Sequence, residues 1–176
     1  FTCPNRDGST VFGGCTFCSD SGSGEFASNI EDQIQLLSDK WPNAKYLGYF
    51  QNHTNTYAPV EELREKYYAI LENPKIEGLV IGTRPDCLSE EILDLLAEIN
   101  KTHSLWLEIG LQTIHDKTAE EFNRLFGLEG DKRVKVSYIS NIKPNKKEML
   151  YYLKKILTKQ MLLKIHLTRL QRIILT

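Results

Sequence analysis

Three of the four cysteines in this 176-residue chain fall within its first eighteen residues, at Cys3, Cys15 and Cys18. Cys15-Thr16-Phe17-Cys18 is spaced so that one tight turn can aim both thiols at one metal centre. Gly8, Gly13 and Gly14 let the intervening loop fold back toward Cys3. A closed structural site normally takes four protein ligands, whereas three thiolates suit a four-iron cluster that keeps one iron open for another molecule. An open iron is the feature of an enzyme. Two other chemistries stay open on the residues alone. One is a non-catalytic zinc module that borrows His53 or Cys87 as a fourth ligand; the other is an electron-transfer iron–sulfur protein, which normally has four cysteines per cluster. Crowding of the thiols into one Gly-rich loop favours reduced cysteines in an intracellular setting over a disulfide framework. Cys87, alone in Arg84-Pro85-Asp86-Cys87-Leu88, reads as a small buried hydrophobe.

Elements that could position such a loop follow it along the chain. Ser28-Asn29-Ile30-Glu31 reads as a capping box opening a helix to about Lys40, with Ile30, Ile34 and Leu37 on one face. Residues 44–50 read as a strand, and Pro59 starts a helix with a stripe of Leu63, Tyr67, Ile70 and Leu71. Residues 77–82 read as a second strand. Ser89 caps a helix carrying Ile92, Leu95, Leu96 and Ile99, residues 104–110 form the next strand, and Asp116 begins another helix. Further on, a strand is expected over 134–139, a helix over 146–159 and a strand over 161–167. Short apolar strands alternating with helices predict one α/β domain over residues 1–176, part of a barrel with its active site at the C-terminal strand ends. Hydrogen-bonding residues do gather there: Gln51 to Tyr57 after the first strand, Thr83 to Cys87 after the second, and Glu108 with Gly110 to His115 around the end of the third. Such groups suit a ligand with amines, a carboxylate and ribose hydroxyls. A carboxylate at the end of an apolar strand needs a partner, and an incoming ammonium group or Arg84 would serve Glu108. Trp41 and Trp106 read as core, and His53 and His115 as solvated loop histidines.

These segments together resemble radical S-adenosylmethionine (radical SAM) enzymes. The residues that carry the resemblance are Cys3, Cys15-Thr16-Phe17-Cys18, Tyr49-Phe50-Gln51, Thr54-Asn55-Thr56, Gly82-Thr83-Arg84-Pro85-Asp86, and Leu107 through His115. The chain is most similar to a bacterial branch of uncharacterised proteins related to the Elongator catalytic subunit, over residues 1 to about 118. The resemblance implies a partial (β/α)6-type TIM barrel, with the strand before the cluster loop missing from this chain. It implies a 4Fe–4S cluster on Cys3, Cys15 and Cys18, with S-adenosylmethionine on the fourth iron. Phe17 would lie beside the adenine, Gln51 and Thr54 would meet the methionine end, and Thr83, Glu108 and Gln112 would line the rest of the pocket. The reduced cluster would pass one electron to the sulfonium and release a 5′-deoxyadenosyl radical. Flavodoxin or ferredoxin would be the reductant; kinship with the Elongator branch points to tRNA as the substrate, with a metabolite or a protein as the open alternatives. The location implied is cytoplasmic, and no apolar run reaches the length of a membrane span.

Charge divides the chain. Residues 1–131 carry 10 Lys+Arg and 22 Asp+Glu, whereas residues 132–176 carry 12 Lys+Arg and the single acid Glu148. A basic segment of this kind suits RNA, a basic helix face set against acidic surface, or translation in a shifted frame. The family pattern also weakens here. Asn123-Arg124 is followed by Leu125-Phe126 instead of glycine, and the interval to Pro144 is short, although Lys146 to Leu150 and Lys164 to Leu167 still look like the family. Residues 119–145 are therefore expected to be atypical, with an inactive fragment of a radical SAM protein as the alternative to an active one. A missing first strand further predicts a bare edge beside residues 44–50, with Leu47 and Phe50 exposed and Cys3 on an untethered terminus.

Overall fold

The strand and helix signals act close to where their chemistry places them. The computed structural model describes residues 1–22, 28–110, 116–124 and 173–175. Helix α1 spans Ile30–Ser38 and is capped by Asn29, one residue later than the expected box. The Asn29 side chain accepts from the Asp32 N–H at 2.8 Å and its amide donates back to the Asp32 carboxylate at 2.5 Å. This reciprocal pair competes better than the Ser28 hydroxyl, which donates to the Asn29 carbonyl instead. Helix α2 spans Val60–Leu71 behind Pro59 and buries Leu63, Tyr67 and Leu71, with Ile70 half-buried. Helix α3 spans Glu90–Ile99, opens at Ser89, which accepts from the Ile92 N–H at 3.4 Å, and buries Ile92, Leu93, Leu95, Leu96 and Ile99. A six-residue helix α4, Asp116–Glu121, starts at the expected Asp116.

The strands are β1 (Tyr46–Phe50), β2 (Ile76–Thr83), β3 (Ser104–Ile109) and the three-residue β4 (Ile173–Leu175). They form an open parallel sheet in the order β3-β2-β1-β4. Side chains alternate between its faces. Tyr46, Phe50, Leu79, Ile81, Leu105 and Leu107 share one core with Leu63, Tyr67, Leu95, Leu96 and Ile99 of the helices. Burying each such side chain is worth about 1.5–3 kcal/mol, so this face anchors the domain. The opposite face carries Tyr49, Val80 and Trp106 in register, with Glu108 opposite Gly82 nearer the strand ends. Trp106 is half-buried there and is not part of the main core.

The described strands give an α/β architecture with an open parallel sheet. One expectation changes. The edge of β1 is not bare, because Ile173–Leu175 pair with Gly48, Tyr49 and Phe50. Phe50 is 3% exposed, packed edge-on against Phe1 at 5.9 Å and Tyr67 at 5.2 Å, while Leu47 is half-buried. The expected elements over 134–139, 146–159 and 161–167 lie outside the described residues.

Candidate metal centre

The cysteine loop is built as two tight turns pinned at both ends. The Arg6 N–H donates to the Cys3 carbonyl at 2.8 Å and the Cys18 N–H to the Cys15 carbonyl at 3.0 Å. Between them Gly13 and Gly14 take φ values of +86° and +76°, which side chains disfavour. The N-terminus is tied down, contrary to expectation, because the Thr54 N–H donates to the Thr2 carbonyl at 3.1 Å. A second strap comes from the end of α4. Asn123, itself at φ 53°, donates through Nδ2 to the Gly14 carbonyl at 2.6 Å and the Phe12 carbonyl at 3.1 Å. Its own carbonyl accepts from Asn5 Nδ2 at 2.8 Å, and the Phe122 carbonyl accepts from the Thr16 N–H at 2.9 Å. The loop therefore sits at the C-terminal ends of the strands, where the polar segments converge.

All four thiols are free; Cys3 and Cys15 are buried and Cys18 is half-buried. Arg84, 1% exposed, points Nη1 at the Cys3 Sγ at 3.6 Å while Nε and Nη2 grip the Asp86 carboxylate at 2.9 and 2.7 Å. Arg124 points Nη1 at the Cys15 Sγ at 3.7 Å and donates through Nη2 to the Gly110 carbonyl at 2.5 Å. Asn5 Nδ2 adds a third donor, 3.5 Å from the Cys15 Sγ. Burial first, and the neighbouring Cys15 second, push the Cys18 thiol up. Burial, then the Asp86 carboxylate, push the Cys87 thiol up to about 12, and Cys87 is buried as the sequence reading expects. Among the described residues no three His, Cys, Asp or Glu side chains gather tightly enough to share one ion. A cubane asks for a wider set, since each thiolate binds a different iron atom. Buried sulfurs faced by N–H donors and guanidinium charge fit thiolates carrying a negatively charged cluster.

The other expected site residues divide into those facing the mouth and those folded into its walls. Phe17 is 50% exposed and meets Phe122 edge-on at 5.9 Å, leaving an aromatic surface beside the loop. Gln51 is half-buried directly after β1. Thr54, Asn55 and Thr56, by contrast, are each 1% exposed. Asn55 Nδ2 donates to the Phe50 and Gly82 carbonyls at 2.9 and 2.8 Å, joining the ends of β1 and β2. The Thr56 and Thr83 hydroxyls share a hydrogen bond at 2.5 Å, so Thr83 braces the wall between these strands. Glu108 accepts from the Tyr49 hydroxyl at 2.5 Å across the sheet. Arg84 grips Asp86 two residues along its own loop, the shorter reach. Gln112 and His115 lie outside the described residues.

Sequence reasoning passed over Asn5, Arg84, Asn123 and Arg124 as parts of the centre. The Asn123-Arg124 pair carried a signal as a fragment of the family turn, but nothing in the sequence shows that it contacts a loop more than a hundred residues away.

The uncharacterised protein YtqA of Bacillus subtilis (strain 168) is 49% identical to this chain over 132 residues, covering 70% of the chain and 41% of YtqA. YhcC of Escherichia coli (strain K12) is 44% identical over 129 residues, covering 70% and 42%. The uncharacterised protein MJ0486 of Methanocaldococcus jannaschii is 38% identical over 132 residues, covering 69% and 40%. The chain thus spans about two fifths of the length of these relatives. No family model and no solved structure matches it. Among the described residues no helix is long and apolar enough to cross a membrane.

Proposed function

We infer that the chain is the core of a radical SAM enzyme, with Cys3, Cys15 and Cys18 holding a 4Fe–4S cluster whose open iron takes S-adenosylmethionine. The observation that carries this reading is a set of three free thiols in a loop pinned to the strand ends, two of them buried against arginine and asparagine donors. When bound, the cluster and S-adenosylmethionine would supply reductive cleavage to methionine and a 5′-deoxyadenosyl radical. The chain's own part is to fix and shield them. The Thr2–Thr54 and Asn123 straps hold the loop, and Asn55 with the Thr56–Thr83 pair keeps the strand ends rigid beneath it. Phe17 offers an apolar face for an adenine, while Gln51 and Glu108 offer polar groups for the charged end of the ligand. The basic composition of residues 132–176 suits a polyanionic substrate such as RNA, and a flavodoxin or ferredoxin suits the need for an electron donor.

The test is product formation. Protein loaded with iron and sulfide, reduced with dithionite and given S-adenosylmethionine should release 5′-deoxyadenosine and methionine in equal amounts, and the Cys15→Ala variant should release neither. Loaded protein that leaves S-adenosylmethionine intact under these conditions would overturn the assignment.

A further inference from the structure

The thiols of the loop are unequally served. Cys3 faces Arg84 and Cys15 faces Arg124 and Asn5, whereas Cys18 is half-buried with no donor in hydrogen-bond contact among the described residues. Both arginines are almost fully buried, at 1% and 7% exposure, and each has its fork set by a fixed acceptor. The Asp86 carboxylate takes Nε and Nη2 of Arg84, and the Gly110 carbonyl just past β3 takes Nη2 of Arg124. Nη1 in each case is directed at sulfur. The Asp86 side chain is only 7% exposed, so the Arg84 charge is partly cancelled where it acts.

We propose that Arg84 and Arg124 are positioning residues that hold the Cys3 and Cys15 sulfurs and raise the reduction potential of the centre those sulfurs carry, with Asp86 restraining the effect of Arg84. The inference rests on the iron–sulfur reading above. Adding an electron to a cluster puts negative charge on its sulfurs. Donors and positive charge beside those sulfurs stabilise the reduced form, and a nearby carboxylate opposes it. Burial keeps water from screening either effect. The geometry therefore fixes opposite signs for the two members of one ion pair. Losing the Arg84 donor lowers the potential, and losing the Asp86 charge raises it. Removing one charge-assisted donor should shift the reduction equilibrium on the order of tenfold, about 59 mV for one electron.

The experiment is a redox titration of the iron- and sulfide-loaded full chain, followed by the electron paramagnetic resonance signal of the reduced cluster. Arg84→Gln, Arg84→Lys, Arg124→Gln and Asp86→Asn are compared, with thermal melting recorded alongside. Lysine keeps the charge but loses the planar fork, so Arg84→Lys should fall between the parent and Arg84→Gln, and it serves if the Gln variant does not fold. Arg84→Gln and Arg124→Gln should titrate lower than the parent and Asp86→Asn higher. A purely structural ion pair would lower the melting temperature of both partners' variants and leave the potential in place. Loaded variants whose potentials match the parent, or shift in one common direction, overturn this inference and leave the cluster assignment standing. A parent chain that takes up no iron and sulfide overturns the assignment itself, and the inference with it.

Discussion

Asn55 is the residue whose loss should reveal how the site is held. It is 1% exposed, and its side-chain amide donates to the Phe50 carbonyl at 2.9 Å and the Gly82 carbonyl at 2.8 Å, bridging β1 and β2 where both strands end. Asn55→Ala removes both bonds. The Gly82 carbonyl keeps the Asn55 backbone N–H as a donor at 3.1 Å, so one bond is a net loss of about 0.5–1.5 kcal/mol. The Phe50 carbonyl loses its side-chain donor in a buried setting, which costs about 1–3 kcal/mol. The sum is about 1.5–4.5 kcal/mol, or a fall in melting temperature of about 3–18 °C for a chain of this size. Asn55→Asp should be worse than Asn55→Ala, since a carboxylate would face two carbonyl oxygens with nothing to donate. Thermal denaturation followed by circular dichroism reads both. If Asp at this position melts with the parent, or Ala costs under about 0.5 kcal/mol, the bridge does not exist as described.

Two further perturbations test the frame around the site. A Cβ on Gly78 would lie 1.9 Å from the Ser104 carbonyl oxygen across the β2–β3 pair, so Gly78→Ala should destabilise by about 1–3 kcal/mol, and an unchanged melting temperature would refute the strand approach. Burial, then the Arg6 charge, lower the pKa of His53 below its usual 6.5. Above that value the folded and unfolded chains are both neutral there; below it the unfolded chain takes the proton first, so stability should fall as pH drops from about 6.5. His53→Gln should flatten that part of a urea-melt pH profile, and an identical slope in the variant would show that His53 does not cause it.

The helices and strands were legible because their signals are local. Pro59, Ser89 and the 3.6-residue spacing of Leu63, Tyr67 and Leu71 act within a turn or two of themselves. The cap of α1 moved by one residue because Ser28 and Asn29 both suit the role, and their sequence does not show which side chain reaches the Asp32 N–H. The three cysteines stood out from spacing alone. Less legible was the division of labour in Gln51 to Tyr57, which reads as uniformly polar. Folding buries Thr54, Asn55 and Thr56 as a brace while leaving Gln51 half-buried at the mouth, and burial of polar residues depends on partners distant in sequence. The guanidinium contacts to sulfur were hidden for the same reason, since Arg84 and Cys3 lie 81 residues apart and Arg124 and Cys15 lie 109 apart. The pairing of Ile173–Leu175 with β1 is longer-range still, and a three-residue apolar run at a chain end carries no signal of its partner.

We propose that Cys3, Cys15 and Cys18, without Cys87, hold one cluster with an open iron. Anaerobic loading with iron and sulfide, followed by metal and sulfide counting and by electron paramagnetic resonance after reduction, addresses it directly. The expected result is about four irons and four sulfides per chain, a signal that changes when S-adenosylmethionine is added, loss of the cluster in the Ala variants of Cys3, Cys15 and Cys18, and retention in Cys87→Ala. One tightly bound zinc that iron and sulfide do not displace, or a cluster that survives in Cys15→Ala and is lost in Cys87→Ala, would contradict it.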